Sequence, residues 1–331
     1  MTSSFALSFT LVCLGGVLTG IFALPMKYLT RWRWENIWSV YGLFALVVIP
    51  GLVIGVVIPN VLEIYARLPL DRVLLILLCG CLWGVGSVTF GIGVDRLGMG
   101  LSFSLIMGIS TLLGTVLPFF MAEQLNLRIG LFVGGFALLL GAVGLAGLAG
   151  VRREHDQAGA RKPRNYAGGV AICVLSGVLS SLFNIGMVLA RPVQEAAAAS
   201  GAPAWASGNA VWPLLLGGGF LANASWCGYL LKRNGTAKLY GAGSWREWLG
   251  AFAMGAAWIG GVMLYGAGAW FMGSRGPVLG FPVFTSLMLV CAYGAGRLTG
   301  EWSGVRPATL RWMNAAVALS VVSLFLIGYS R

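Results

Sequence analysis

The stretch GCLWGVGSVTFGIG (residues 80–93) returns 175 residues later as GAAWIGGVMLYGAG (residues 255–268). Gly80, Trp83, Gly86, Phe90, Gly91 and Gly93 of the first copy fall where Gly255, Trp258, Gly261, Tyr265, Gly266 and Gly268 fall in the second. A second pair keeps the same order: GVLTGIFALPM (residues 16–26) reads like GVLSSLFNIGM (residues 177–187), with Gly, Val, Leu, Phe and Met identical and Thr19 facing Ser180. A duplication of this kind has to be settled first, because it fixes the architecture.

The duplicated material is apolar. Hydrophobic residues make up 58% of the 331, and charged residues only 10%. That is far too apolar for a soluble domain and places the chain in a membrane. The net charge of +12 does not indicate a nucleic-acid binder, because the cations sit in short breaks between apolar runs and form no basic stripe. The six cysteines (Cys13, Cys79, Cys81, Cys173, Cys227, Cys291) lie inside apolar runs and read as small buried hydrophobes. Cys79 and Cys81 make only a C-x-C, and His155 is the lone histidine, so neither a metal nor any other cofactor is expected. The N-terminal run has no basic lead-in and no small-residue cleavage signal, and is read as a retained span.

Runs of about twenty apolar residues are needed to cross the hydrocarbon core as helices. Ten are present, at 5–26, 37–58, 72–94, 98–121, 129–149, 167–190, 208–231, 248–270, 277–299 and 309–329. The expected fold is an all-α integral membrane protein. Sixteen of the 22 cations fall in the first, third, fifth, seventh and ninth breaks, which are therefore read as cytoplasmic, with both termini outside. The repeats superpose span 1 on span 6 and span 3 on span 8, so the unit is five spans long. An odd number of crossings makes the second copy enter from the other side. Residues 1–150 and 167–331 are thus expected to be two inverted five-helix repeats joined by a basic cytoplasmic linker, 151–166, with a tight turn around Asp95 and Arg96 and a loop at 191–207. Secondary transporters use this device, placing substrate near the midplane between the halves.

On a helix, Gly80, Trp83, Gly86 or Ser87, and Phe90 return to one face, giving a glycine groove with aromatic walls; span 8 repeats it with Trp258 and Tyr265. Glycines at such spacing commonly serve close helix contact. A duplicated indole offers something more, an apolar face with one donor, which suits a sugar ring. Polar groups inside the spans are mostly neutral, among them Thr19, Tyr41, Ser87, Ser110, Ser180, Asn184, Asn223 and Thr285. Ser and Thr often bond back to their own helix, whereas an amide in lipid needs a partner or a ligand, which singles out Asn184 and Asn223. All ten carboxylates, Glu123 included, lie in breaks or at span ends, so there is no buried acid for an organic cation and no buried base for a phosphate. A small neutral polyol fits. No nucleophile, P-loop or dinucleotide motif is present in usable context, so an enzyme is not expected.

RWRWENIWSV (from Arg31), CLWGVGSVTFGIGVDRLGMG (from Cys81), ARPVQEAAAASG (from Ala190), GGGFLAN (from Gly217) and GEWSGVRP (from Gly300), in register along nearly the whole chain, resemble the bacterial L-rhamnose/proton symporter family of the drug/metabolite transporter superfamily. The resemblance implies an inner-membrane carrier that imports a 6-deoxyhexose with a proton, and it puts Trp34, Glu35, Trp38, Ser39, Trp83, Gly84, Gly86, Glu195, Asn223 and Glu301 on matching positions. Span 9 carries no acid, so the proton is expected on a boundary carboxylate: Glu35 first, then Asp95 and Glu301. The expected sugar contacts are Trp83, Ser87, Asn184, Asn223, Trp258, Tyr265, Tyr41 and Thr285. The rivals are an exporter or uniporter of another small metabolite, and a membrane sensor; a sensor should carry a soluble output domain, and the longest break is about seventeen residues.

Overall fold

The computed structural model describes residues 2–58, 60–122, 125–158 and 166–331. Among the described residues all regular structure is helical, and ten segments are long and apolar enough to cross a membrane. The main helices of these segments are α1 (Thr2–Ile21), α2 (Trp34–Val57), α3 (Leu70–Leu97), α4 (Met99–Met121), α5 (Ile129–Ala158), α6 (Tyr166–Leu189), α7 (Trp212–Asn234), α8 (Trp245–Phe271), α9 (Phe281–Leu298) and α10 (Pro307–Tyr329). A single wide turn, Phe44–Val48, interrupts α2 just before Pro50, whose missing N–H cannot serve the regular ladder. Each span is helical because lipid leaves the backbone no other way to satisfy its polar groups.

Three expectations about the breaks need correction. The third helix does not stop at Asp95 and Arg96 but runs through both to Leu97, and the chain turns at Gly98, whose φ of 85° is open to glycine at little cost. Helix α5 continues beyond 149 to Ala158, since VRREHDQA contains no breaker. The long segment before α7 also folds, as helices Arg191–Ala199 and Ala204–Asn209. Pro192 starts the first of these, and Val193, Gln194 and Ala197 are buried beneath it. Of the expected linker, residues 159–165, with Arg161, Lys162 and Arg164, lie outside the described residues, as does Glu123.

Helix contacts follow the duplication. α3 lies on α6 and α7, and α8 lies on α1 and α2; α4 contacts α5 and α6, and α9 contacts α10 and α1; α5 pairs with α10. Adding or subtracting five turns each pairing into another on the same roster, except α5 with α10, which maps onto itself. The agreement extends to residues. A Cβ on Gly86 would stand 3.0 Å from the Ser180 nitrogen and Oγ, and one on Gly261 would stand 3.1 Å from the Thr19 nitrogen and press on its Oγ1. Gly80 likewise faces α7 at Leu215, while its match Gly255 faces α2 at Tyr41, Phe44 and Ala45. The glycines of the duplicated stretch therefore let backbones touch, which is how helices gain contact energy when lipid is as apolar as their side chains. Large apolar residues remain on the outside, among them Leu52, Val56, Phe120, Leu221 and Phe325, as a lipid-facing belt requires.

Candidate solute-binding site

Trp83 on α3 and Trp258 on α8 meet. Their rings stack at 5.8 Å between centroids and 22° between planes, so the duplicated indoles sit side by side. Phe183 on α6 closes on both, at 5.4 and 6.3 Å. From Trp258 an aromatic wall continues through Tyr41 (6.4 Å), Trp38 (4.7 Å from Tyr41) and Trp34 (5.2 Å from Trp38, stacked), with Phe22 beside Tyr41 at 5.4 Å.

This wall encloses a cavity of about 960 Å³. Its lining comes from the C-terminal parts of α1, α3 and α7, the N-terminal parts of α2 and α4, Ser180 and Phe183 of α6, the middle of α8 and the N-terminal half of α9. The cavity therefore opens toward the end of the bundle that carries the α1–α2, α3–α4, α7–α8 and α9–α10 connections, here called the mouth end. Four pairs of repeat partners line it together: Trp83 with Trp258, Ser87 with Val262, Phe22 with Phe183, and Thr19 with Ser180.

Apart from Asp95 near the mouth, the polar inventory of the cavity is neutral and largely unused. The hydroxyls of Tyr41, Ser87, Ser110 and Ser180, the indole N–H groups of Trp83 and Trp258, and Nδ2 of Asn223 bond to no other described residue, while Asn223 Oδ1 accepts from Cys227 Sγ at 3.3 Å. Thr19 and Thr285 instead donate back to their own helices, Thr19 to the Gly15 carbonyl (2.8 Å) and Thr285 to those of Phe281 (3.0 Å) and Pro282 (3.1 Å). A few convergent donors and acceptors in an aromatic cleft of this size match a small polar solute with an apolar face. Asp95, exposed near the mouth, is the one carboxylate among the lining residues.

Of the eight sugar contacts expected from sequence, six meet here: Tyr41, Trp83, Ser87, Asn223, Trp258 and Thr285. Asn184 and Tyr265 do not line the cavity. Both are fully buried toward the opposite end, and the Tyr265 hydroxyl donates to Asn184 Oδ1. Trp34, Trp38, Phe22 and Trp226 line the cavity without having been singled out as contacts, although aromatic residues near the span 2 entrance were a signal for two of them.

The other two acids lie outside the cavity lining. Glu35, almost wholly buried, accepts from Asn234 Nδ2 (3.0 Å) at the end of α7 and from Thr236 Oγ1 (2.7 Å) on the α7–α8 connection. Its neighbours reinforce that clasp: Asn36 donates to the Thr236 carbonyl (3.0 Å), Trp32 to that of Leu239 (3.0 Å), and Ser39 bonds Tyr240 (2.5 Å). Burial raises the pKa of Tyr240, which stays a neutral phenol. Glu301 pairs with Lys27 and lies 3.6 Å from Arg153.

The fold and cavity together describe a polytopic membrane protein with a solute-sized aromatic cleft, open at one end and bearing a single carboxylate near its mouth among the described lining residues. A family model for the L-rhamnose-proton symport protein (RhaT) matches residues 1–241, and the chain belongs to that family. It is 25% identical over 329 residues, 95% of each chain, to the L-rhamnose-proton symporter of Escherichia coli strain ATCC 8739. The symporters of that name from Escherichia coli strain 55989 and from Escherichia coli O8 strain IAI1 match at the same identity and coverage.

Proposed function

We propose that this protein imports L-rhamnose with a proton across the bacterial inner membrane by alternating access. The observation that carries the reading is the cavity in which Trp83 stacks on Trp258 amid unpaired neutral donors and acceptors. The methyl end and apolar face of a 6-deoxyhexose would lie on the indoles, and its hydroxyls would reach Tyr41, Ser87, Ser110, Ser180 and Asn223. The named activity of the relatives supports the same substrate.

The two halves, 1–150 and 167–331, act as inverted repeats, a reading supported by the matched contacts of Gly86 with Ser180 and of Gly261 with Thr19. With the cation-rich connections cytoplasmic, the mouth end faces inward and both termini face the periplasm. For the proton, Asp95 takes precedence over Glu35 and Glu301, because it alone shares the cavity with the solute. Glu35 then serves the clasp between α2 and the α7–α8 connection. Uniport is the second reading, favoured by the absence of any carboxylate deeper in the cavity than Asp95 among the lining residues.

Uptake of labelled L-rhamnose into vesicles, with and without a proton ionophore and against other deoxyhexoses, separates these. Saturable uptake that the ionophore prevents from concentrating supports symport; ionophore-insensitive uptake supports uniport. No saturable uptake would sink the sugar assignment.

A further inference from the structure

The cavity has a floor, and a buried, hydrogen-bonded polar pair lies behind it. Phe281 and Phe284 line the cavity, and Tyr265 stands behind them at 6.3 and 4.9 Å between ring centroids. The Tyr265 hydroxyl donates to Asn184 Oδ1, and Asn184 Nδ2 donates to the carbonyls of Gly114 (2.6 Å) and Pro277 (3.1 Å). Both side chains have no solvent exposure.

The two carbonyls are available for a reason found in the sequence. Pro118, inside α4, has no N–H to give the Gly114 oxygen four residues earlier. Pro277 lies in a wide-turn segment, Gly276–Gly280, and five residues on stands Pro282, again without a donor. Asn184 thus completes two interrupted ladders and ties α4, α6, α8 and the lead-in to α9 at one point. Beyond it, on the end with the α2–α3, α4–α5, α6–α7 and α8–α9 connections, is a second cavity of about 600 Å³ lined in part by Pro118, Met187, Trp270 and Pro277. The Asn184–Tyr265 pair therefore separates two cavities that open to opposite ends.

The repeat gives this pair a counterpart. The position matching Asn184 is Ala23, and the position matching Tyr265 is Phe90. Both line the open cavity, and neither has a side chain able to make the bond. We infer that the Asn184–Tyr265 hydrogen bond is the gate that seals the outer end, that it must part for the outer cavity to join the solute site, and that its absence from the inner end biases the empty carrier toward facing inward. The inference rests on the transport reading above. In an inverted-repeat carrier the outward-facing state is reached when the two halves exchange conformations. Closure of the inner end then brings Ala23 toward Phe90, an apolar contact with no bond to break.

The test uses the full-length protein in vesicles with Met187→Cys, buried at the edge of the outer cavity, and Val94→Cys, in the wall of the inner one, as separate reporters. A membrane-impermeant maleimide is applied from each side and read at the reporter's own peptide by mass spectrometry, native cysteines in place. Removing one buried hydrogen bond with Tyr265→Phe is expected to raise the outer-to-inner labelling ratio about three- to tenfold. Ala23→Asn with Phe90→Tyr, which builds the same pair at the inner end, is expected to raise the ratio too, and it tests the idea with the outer pair untouched should Tyr265→Phe fold poorly. If the parent takes up L-rhamnose and its reporters respond to the sugar, yet the ratio stays at the parent value in both variants, the gate assignment is wrong and the transport reading stands. If the parent neither transports nor responds, the transport reading fails and the gate with it.

Discussion

The two ends of this bundle are built from the same repeated strings and close by different chemistry. At the mouth end Phe22, Ala23 and Phe90 line open space; at the sealed end Asn184 and Tyr265 are buried in a bonded cluster that also holds two proline-freed carbonyls. Two substitutions between the copies, Ala for Asn and Phe for Tyr, account for that contrast. The comparison teaches that duplication sets which segments meet, while the unmatched positions set how firmly they hold.

The largest expected effect breaks the comparison at its scaffold. A Cβ on Gly80 would overlap the carbonyl oxygen of Leu215, a backbone atom that cannot step aside, whereas one on its match Gly255 would meet only the Phe44 Cβ at 3.1 Å and backbone at 3.3 Å. Gly80→Ala is expected to cut folded membrane yield about tenfold through overpacking. Gly255→Ala should be far milder, and Gly91→Ala, with open space around it, neutral. Fluorescence-detected size exclusion of detergent extracts ranks the three. Equal losses at Gly80 and Gly255 would mean the halves are packed alike.

Next come the tryptophans. Trp83→Ala and Trp258→Ala should each lower kcat/KM for L-rhamnose by at least about tenfold, since each removes a large aromatic face from the solute and from its partner. Because the rings stack on each other, the double variant should lose less than the product of the two single losses. Strictly multiplicative losses in vesicle uptake would indicate that the two indoles act on the solute separately.

How much of this could be read beforehand follows from what each signal encodes. Ten apolar runs announced ten helices, because the hydrocarbon core imposes a length. Two glycine-tryptophan strings announced that α3 and α8 play matching parts. The meeting of Trp83 with Trp258 was not legible, since it depends on how two halves distant in sequence pack. Asn184 stands out in the sequence as an amide that needs a partner or a ligand, and is expected to meet the sugar; its partners instead include carbonyls released by Pro118 and Pro282, whose positions matter only once the helices are placed. Glu35 is held by Asn234 and Thr236 from some 200 residues away, and a sequence neighbourhood carries no such information.

The acids come third. Asp95→Asn is expected to abolish ionophore-sensitive accumulation of the sugar while leaving downhill exchange, because exchange needs the cavity and not the proton. Glu35→Gln keeps an oxygen for Asn234 and Thr236 to donate to, and should retain accumulation. Counterflow and accumulation measured on one vesicle preparation check both. The opposite ranking would return the proton to Glu35 and make its clasp to the α7–α8 connection part of coupling.

The smallest expected effect is the sharpest test of the pairing between halves. Thr19 and Ser180 are repeat partners in one cavity, yet Thr19 donates its hydroxyl hydrogen to the Gly15 carbonyl at 2.8 Å, while the Ser180 hydroxyl bonds no other described residue. A hydroxyl whose hydrogen is already engaged can only accept from a sugar, and its removal also takes away a helix bond that the Gly15 carbonyl does not depend on. A free hydroxyl can donate as well as accept. Ser180→Ala should therefore raise KM for L-rhamnose about two- to fivefold, within the range of one neutral hydrogen bond, and Thr19→Val less than about twofold. Should Thr19→Val be the costlier, the sugar lies toward α1 and away from α6, and the donor set assigned to it from α6 has to be redrawn around α1.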